Sequence, residues 1–212
     1  MNAPASPAEM LRAARLVPVL TIEDAAQAVP LARALVAGGV RMLEVTLRTE
    51  AGARAAEAIM AEVPDAIVGL GTVVTRRDLD LALRLGATFA FSPGATPELL
   101  DAAAEAGIPF VPGIATASEL MAAMARGFST VKLFPAAQLG GIGAIRALGA
   151  PFPEARFCPT GGIGEKELGD YLALPNVVAV GGSWLVPATE LKAGNWTAIE
   201  GRARRAMDAL GA

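Results

Sequence analysis

The chain has 212 residues, 53% of them hydrophobic and 18% charged, and carries a net charge of −3, which suits one globular core and excludes a disordered chain. Its basic residues are scattered singly and leave no footprint for nucleic acid or an anionic membrane. With no histidine and a single cysteine, Cys158, a Ser-His-Asp triad, His-based proton shuttling, a His-rich zinc site and an intrachain disulfide are all excluded.

Residues 1–7 lack the basic start and apolar centre of a leader peptide, and no apolar run approaches the ~18 residues of a membrane span. With one cysteine, a reducing compartment is expected, and the cytoplasm is the default. A short amphipathic helix is expected over residues 7–15. From there one pattern recurs: an apolar run of strand length, a polar or Gly-containing turn, and an Ala/Leu-rich helix ending near glycine. The strand candidates are residues 16–20, 41–47, 66–72, 89–92, 110–114, 130–134, 156–160 and 177–180. Near-continuous apolar strands alternating with helices predict a parallel sheet covered by helices. Eight such units predict a closed (β/α)8 barrel with a short N-terminal helix. No linker or shift in composition divides the chain, so one domain over residues 1–212 is expected.

Helix starts fit this order. Thr75-Arg76-Arg77-Asp78 and Thr116-Ala117-Ser118-Glu119 read as capping boxes, and Thr96-Pro97 sets a cap before a first-turn proline. Gly38, Gly86, Gly107, Gly127 and Gly149 fall at helix ends. Pro30 does not fit. The first long helix must kink there or begin later.

Three lysines stand against fifteen arginines. Lys166 and Lys192 lie in polar, helix-rich surroundings, whereas Lys132 sits in the apolar run Val131-Lys132-Leu133-Phe134-Pro135. A buried lysine is rare unless something pairs with it or uses it. Burial disfavours the ammonium, and a free amine can attack a carbonyl near neutral pH. Strand alternation puts Met42, Glu44, Thr46 and Arg48 on one face, Lys132 with Phe134, and Cys158 with Thr160. Glu44, Arg48 and Lys132 therefore converge inside the barrel, either as catalytic groups or as a structural Glu44–Lys132 pair with Arg48 solvated. The loops Thr160-Gly161-Gly162 and Gly181-Gly182-Ser183 follow the seventh and eighth strands, where barrels often hold phosphate on backbone N–H groups. Thr72 could bind a carboxylate or cap a helix. Ser92-Pro93-Gly94 could floor a pocket or simply turn, and Cys158 reads as a small buried residue.

Arg41-Met42-Leu43-Glu44-Val45-Thr46-Leu47-Arg48-Thr49-Glu50, Gly69-Leu70-Gly71-Thr72-Val73, Val131-Lys132-Leu133-Phe134-Pro135-Ala136, Phe157-Cys158-Pro159-Thr160-Gly161-Gly162 and Ala179-Val180-Gly181-Gly182-Ser183-Trp184-Leu185-Val186-Pro187 closely resemble 2-keto-3-deoxy-6-phosphogluconate (KDPG) aldolases. These motifs stand at five separated places in the family's order, between about residues 16 and 187. The resemblance implies a class I, Schiff-base aldolase of the Entner–Doudoroff route, a homotrimer on a (β/α)8 barrel, with no cofactor or metal. It implies Lys132 as the Schiff-base lysine and Glu44 as general acid/base. Arg48 and Thr72 would hold the keto-acid carboxylate, while Phe134, Pro93 and Thr160 line the pyruvyl pocket. Gly161, Gly162, Gly181, Gly182 and Ser183 would hold the phosphate. The family also includes 4-hydroxy-2-oxoglutarate and galactonate-derived activities. A phosphosugar isomerase or epimerase using Glu44, or a phosphate-ester binding protein, would need no lysine adduct.

Overall fold

The structure, a computed structural model, describes residues 6–211; the leader reading falls mainly on residues 1–5, outside the described residues. The first half of the chain runs α1 (Pro7–Ala14), β1 (Leu16–Leu20), α2 (Ala28–Ala37), β2 (Met42–Thr46), α3 (Gly52–Glu62), β3 (Ile67–Gly71), α4 (Arg76–Leu85) and β4 (Phe89–Phe91). It continues through α5 (Pro97–Ala106), β5 (Phe110–Val111), β6 (Gly113–Ile114), α6 (Ala117–Met124), β7 (Thr130–Leu133), α7 (Gly141–Gly149) and β8 (Arg156–Phe157). Then come α8 (Leu168–Leu172), β9 (Val180–Gly182), α9 (Ala188–Ala193) and α10 (Trp196–Ala209).

Every strand pairing among the described residues is parallel, but the strands do not close into the expected eight-stranded barrel. They form a six-stranded sheet in the order β5-β4-β3-β2-β1-β9 and a three-stranded sheet in the order β6-β7-β8. Prolines account for much of the difference. Pro112 lacks an N–H and splits the expected fifth strand into β5 and β6, one in each sheet. Pro159 lies inside the expected seventh strand, of which only Arg156–Phe157 is a strand, although Cys158 N and Thr160 N still bond to Val131 O and Leu133 O on β7. The eighth strand starts three residues later than expected, at Val180, and Val177 makes only a single bridge to Phe157. A second single bridge, Thr160 to Gly181, spans the same seam.

The helix starts follow the sequence logic. Thr75 with Asp78 and Thr116 with Glu119 form reciprocal capping boxes, and Thr96 caps α5 ahead of Pro97. A third box, Ser6 with Glu9, starts α1. A one-turn 3-10 helix over Ala25–Gln27 precedes α2, so Pro30 falls in the helix's first turn, where a missing N–H costs nothing. Gly86 and Gly107 end their helices in the left-handed conformation, whereas Gly38 does not (φ −80). A Cβ at Gly38 would lie 2.5 Å from that of Ala203 on α10, so its need is for space.

Two apolar layers result. Leu20, Leu43, Val45, Leu70, Val131 and Leu133 turn outward into the large core beneath the helices. Val17, Met42, Phe89, Phe91, Val111 and Cys158 turn inward, joined by Leu11 of α1. A cleft lined by α1 residues opens beside Met42 and Ile67, the first residues of β2 and β3, so α1 lies at the amino ends of these strands. The inner face of their carboxyl ends is left for polar groups.

Candidate active site

Lys132 and Glu44 are the charged residues of that inner layer, 2% and 1% exposed. Lys132 Nζ donates to Glu44 Oε1 at 2.9 Å and to Oε2 at 3.1 Å. The two come from different sheets, Glu44 from β2 and Lys132 from β7. Each is fixed by its strand register, Glu44 opposite Val19 and Gly69, Lys132 opposite Gly113. Phe91 and Phe134 flank the amine, with ring centroids 5.1 and 5.6 Å from Nζ. Both rings favour a cation and keep bulk water from it.

Glycines make room for this pair. A Cβ at Gly71 would stand 2.2 Å from Glu44 Oε1, so the carboxylate lies directly over the β3 backbone. Thr72 follows with φ +61, a backbone conformation that β-branched residues rarely adopt. Its Oγ1 accepts from Arg48 Nε at 3.0 Å. The sequence-predicted arginine and threonine thus meet at the carboxyl ends of β2 and β3. Thr46, on the Glu44 face, is consumed structurally. It donates to the Leu20 carbonyl at 2.9 Å and meets the Thr21 hydroxyl at 3.2 Å.

A cleft of about 140 Å3 adjoins these groups, and Arg48, Phe134, Thr160, Gly161, Gly162, Gly182 and Ser183 line it together with Val19 and Ile163. Seven of the sequence-predicted residues therefore share one concavity. Gly161 and Gly162 have φ of +99 and +74, open to glycine at little cost. Gly181 does not line the cleft. It gives space to Thr160, whose Oγ1 would stand 2.2 Å from a Cβ there, and Thr160 Oγ1 donates to the Cys158 carbonyl at 3.3 Å. Pro93 lies outside the cleft, its carbonyl carbon 2.2 Å from the place of a Cβ on Gly113. Burial pushes the Cys158 thiol up to about 12, with Lys132 opposing and Glu44 reinforcing. It is a packing residue. Larger clefts open elsewhere, of about 440 Å3 beside α1 and about 530 Å3 beside α9. Lys132, Glu44 and Thr72 do not line the smaller cleft, but Phe134, whose ring flanks Lys132 Nζ, and Arg48, bonded to Thr72, do. The larger two are lined by none of these, so the smaller one is the candidate for chemistry.

Sequence reasoning passed over Phe91, although alternation through Phe89-Ala90-Phe91 could have put both rings inside. It also passed over Gly71 as a seat for Glu44, for which the sequence carries no signal. Among the described residues, no group of three or more His, Cys, Asp or Glu side chains could hold a metal, and no helix is long and apolar enough to cross a membrane.

The family profile "KDPG and KHG aldolase" matches residues 8–201. A 2-dehydro-3-deoxy-phosphogluconate aldolase of Pseudoalteromonas atlantica is 52% identical over 91% of this chain and 89% of its own. The KHG/KDPG aldolase of Escherichia coli K12 is 52% identical over 91% of each. The crystal structure of KDPG aldolase from Legionella pneumophila, with pyruvate captured as a covalent carbinolamine, superposes with a TM-score of 0.92 at 44% identity, covering 95% of this chain and 98% of that one. The chain belongs to the KDPG and KHG aldolase family.

Proposed function

We propose that this chain is a class I aldolase that cleaves 2-keto-3-deoxy-6-phosphogluconate to pyruvate and glyceraldehyde 3-phosphate. The observation that carries the reading is the Lys132 amine, buried and bonded to both oxygens of Glu44. Breaking a C–C bond beta to a ketone releases an electron pair that needs a sink, and a protonated imine on lysine supplies one without a metal. In this reading Lys132 passes a proton to Glu44, and the free amine adds to C2 of the substrate. The carbinolamine hydroxyl takes a proton from Glu44 and leaves as water, its C–O bond breaking as the nitrogen lone pair forms the iminium. Glu44, now a carboxylate, accepts the C4 hydroxyl proton, and the C3–C4 electrons flow into the iminium. Glyceraldehyde 3-phosphate departs; the enamine is protonated at C3 and hydrolysed to pyruvate. A base so placed contributes roughly 10²–10⁴ in rate.

Arg48 and Thr72, already joined by a hydrogen bond, are assigned the substrate carboxylate. Phe134, Pro93 and Thr160 surround the pyruvyl carbons, Pro93 from just outside the cleft. Gly161, Gly162, Gly182 and Ser183 take the phosphate, and Gly181 serves by letting Thr160 approach. The protein is further proposed to act as one domain, a homotrimer and a cytoplasmic enzyme of the Entner–Doudoroff route, with no cofactor. A second substrate, 4-hydroxy-2-oxoglutarate, is favoured by the double name of the E. coli relative. Comparing turnover on the two keto-acids ranks them, because only KDPG engages the Gly161-Gly162 and Ser183 loops. Borohydride with pyruvate should add one reduced pyruvyl unit to the intact protein, and Lys132→Ala should abolish it. An adduct persisting in that variant removes Lys132 as the nucleophile.

A further inference from the structure

We infer that Ser92 is a positioning residue for the Lys132–Glu44 pair, its hydroxyl tying together the two sheets from which those side chains come. The inference rests on the aldolase reading for its readout and on the strand geometry for its argument. Because Glu44 belongs to the six-stranded sheet and Lys132 to the three-stranded one, their 2.9 Å contact depends on how one sheet is seated against the other. One seam between the sheets runs through residues 111–113. There Val111 O still accepts from Ser92 N, at a long 3.3 Å, and Pro112 O already accepts from Lys132 N, at 2.8 Å.

In a parallel ladder the N–H groups of one strand alternate regularly with the carbonyls of the next. Ala90 N bonds to Pro109 O and Ser92 N to Val111 O, so the next N–H due to bond back is that of Gly113, to the Ser92 carbonyl. It bonds instead to Ser92 Oγ, at 3.1 Å. The side chain replaces the main-chain acceptor at the point where the ladder breaks. Ser92 is fully buried (0% exposed), so without this hydroxyl the Gly113 N–H has no solvent to turn to. Gly113 is also the register partner of Lys132, and its missing Cβ lets the Pro93 carbonyl group pack against it. One hydroxyl therefore fixes the residue beside the lysine, the sheet that carries the lysine, and the proline assigned to the pyruvyl pocket.

The test compares wild type, Ser92→Ala and Ser92→Thr for the rate of borohydride-trapped adduct formation with pyruvate, and for kcat and KM on KDPG. Ser92→Ala is expected to fold, as judged by near-ultraviolet circular dichroism, and to lose about tenfold to a hundredfold in trapping rate and kcat. Its KM for the phosphorylated substrate should change by less than about threefold, since the phosphate loops lie on other strands. Ser92→Thr, which keeps the hydroxyl, should recover most of the rate. A folded Ser92→Ala that melts earlier yet traps pyruvate at the wild-type rate overturns the inference. So does a folded Ser92→Thr as slow as Ser92→Ala. Should the alanine variant not fold, Ser92→Cys, with a much weaker acceptor of similar size, is read by the same two outcomes. A wild-type protein that traps no pyruvate would instead refute the aldolase reading itself.

Discussion

The Lys132–Glu44 pair makes a stability prediction that is independent of catalysis. Both side chains are 2% exposed, and the amine bonds to both carboxylate oxygens at about 3 Å. At an effective dielectric of 20 the attraction at that distance is about 5 kcal/mol, most of it offset by stripping water from two charges. Removing one partner leaves the desolvation of the other uncompensated. Lys132→Met and Glu44→Met should therefore each destabilise the protein by about 3–5 kcal/mol. For a chain of this size that lowers the melting midpoint by roughly 6–20 °C. The double variant replaces the pair by apolar side chains of similar volume and should return to within about 2 kcal/mol of wild type. Thermal melts of the four proteins at pH 7, monitored by circular dichroism, give the coupling as a double-mutant cycle. Two results would refute the reasoning. Single variants that melt with the wild type would mean the charges are solvated. A double variant that loses the sum of the singles would mean packing, not charge pairing, sets the cost.

Burial raises the Cys158 pKa from 9.0 to about 12, so the folded protein keeps the thiol protonated where the unfolded chain releases it. Stability from this group is complete below pH 9 and is lost as pH climbs toward 12, by up to about 1.4 kcal/mol per unit; Cys158→Ala should flatten the decline in urea midpoints between pH 9 and 11, and an unchanged slope would count against it. Thr72→Gly removes a β-branched side chain from φ +61, relieving about 1–3 kcal/mol of strain against some loss to unfolded-chain entropy. It should hold or gain stability while raising KM for pyruvate-bearing substrates through the lost Arg48 partner, and a clearly destabilised variant would show that the backbone is unstrained.

What the sequence made legible was whatever depends on local chemistry or on period. Thr75, Thr96 and Thr116 cap helices because a hydroxyl on the residue just before a helical run can accept the free N–H three residues on. Lys132 was conspicuous because an ammonium among Val131, Leu133 and Phe134 has nowhere to be hydrated, and strand alternation was enough to send Glu44 to meet it. The convergence of Arg48 and Thr72 was likewise within reach, since both stand at strand ends. The closed barrel was expected and is not what forms, because counting apolar runs treats each run as one strand. Pro112 and Pro159 lie inside two such runs, and what decides the ladder there is the missing N–H, not the hydrophobicity.

The same distinction explains which surroundings of the site were out of reach. Gly181 was read as a phosphate contact because Gly-Gly after a strand invites an anion; that a Cβ there would meet Thr160 across their single bridge is a non-local clash invisible to motif reading. Gly71 and Gly113 lack side chains for the same kind of reason, one beneath the Glu44 carboxylate and one against the Pro93 carbonyl. Glycine in these strands marks where something else must come close. In this fold the Lys132–Glu44 pair spans the space between two sheets, and the residues that let its neighbours come close are those with the smallest side chains. That makes the amine–carboxylate distance sensitive to single methyl groups at the buried Gly71 and Gly113, and insensitive to much larger changes on the outer helices.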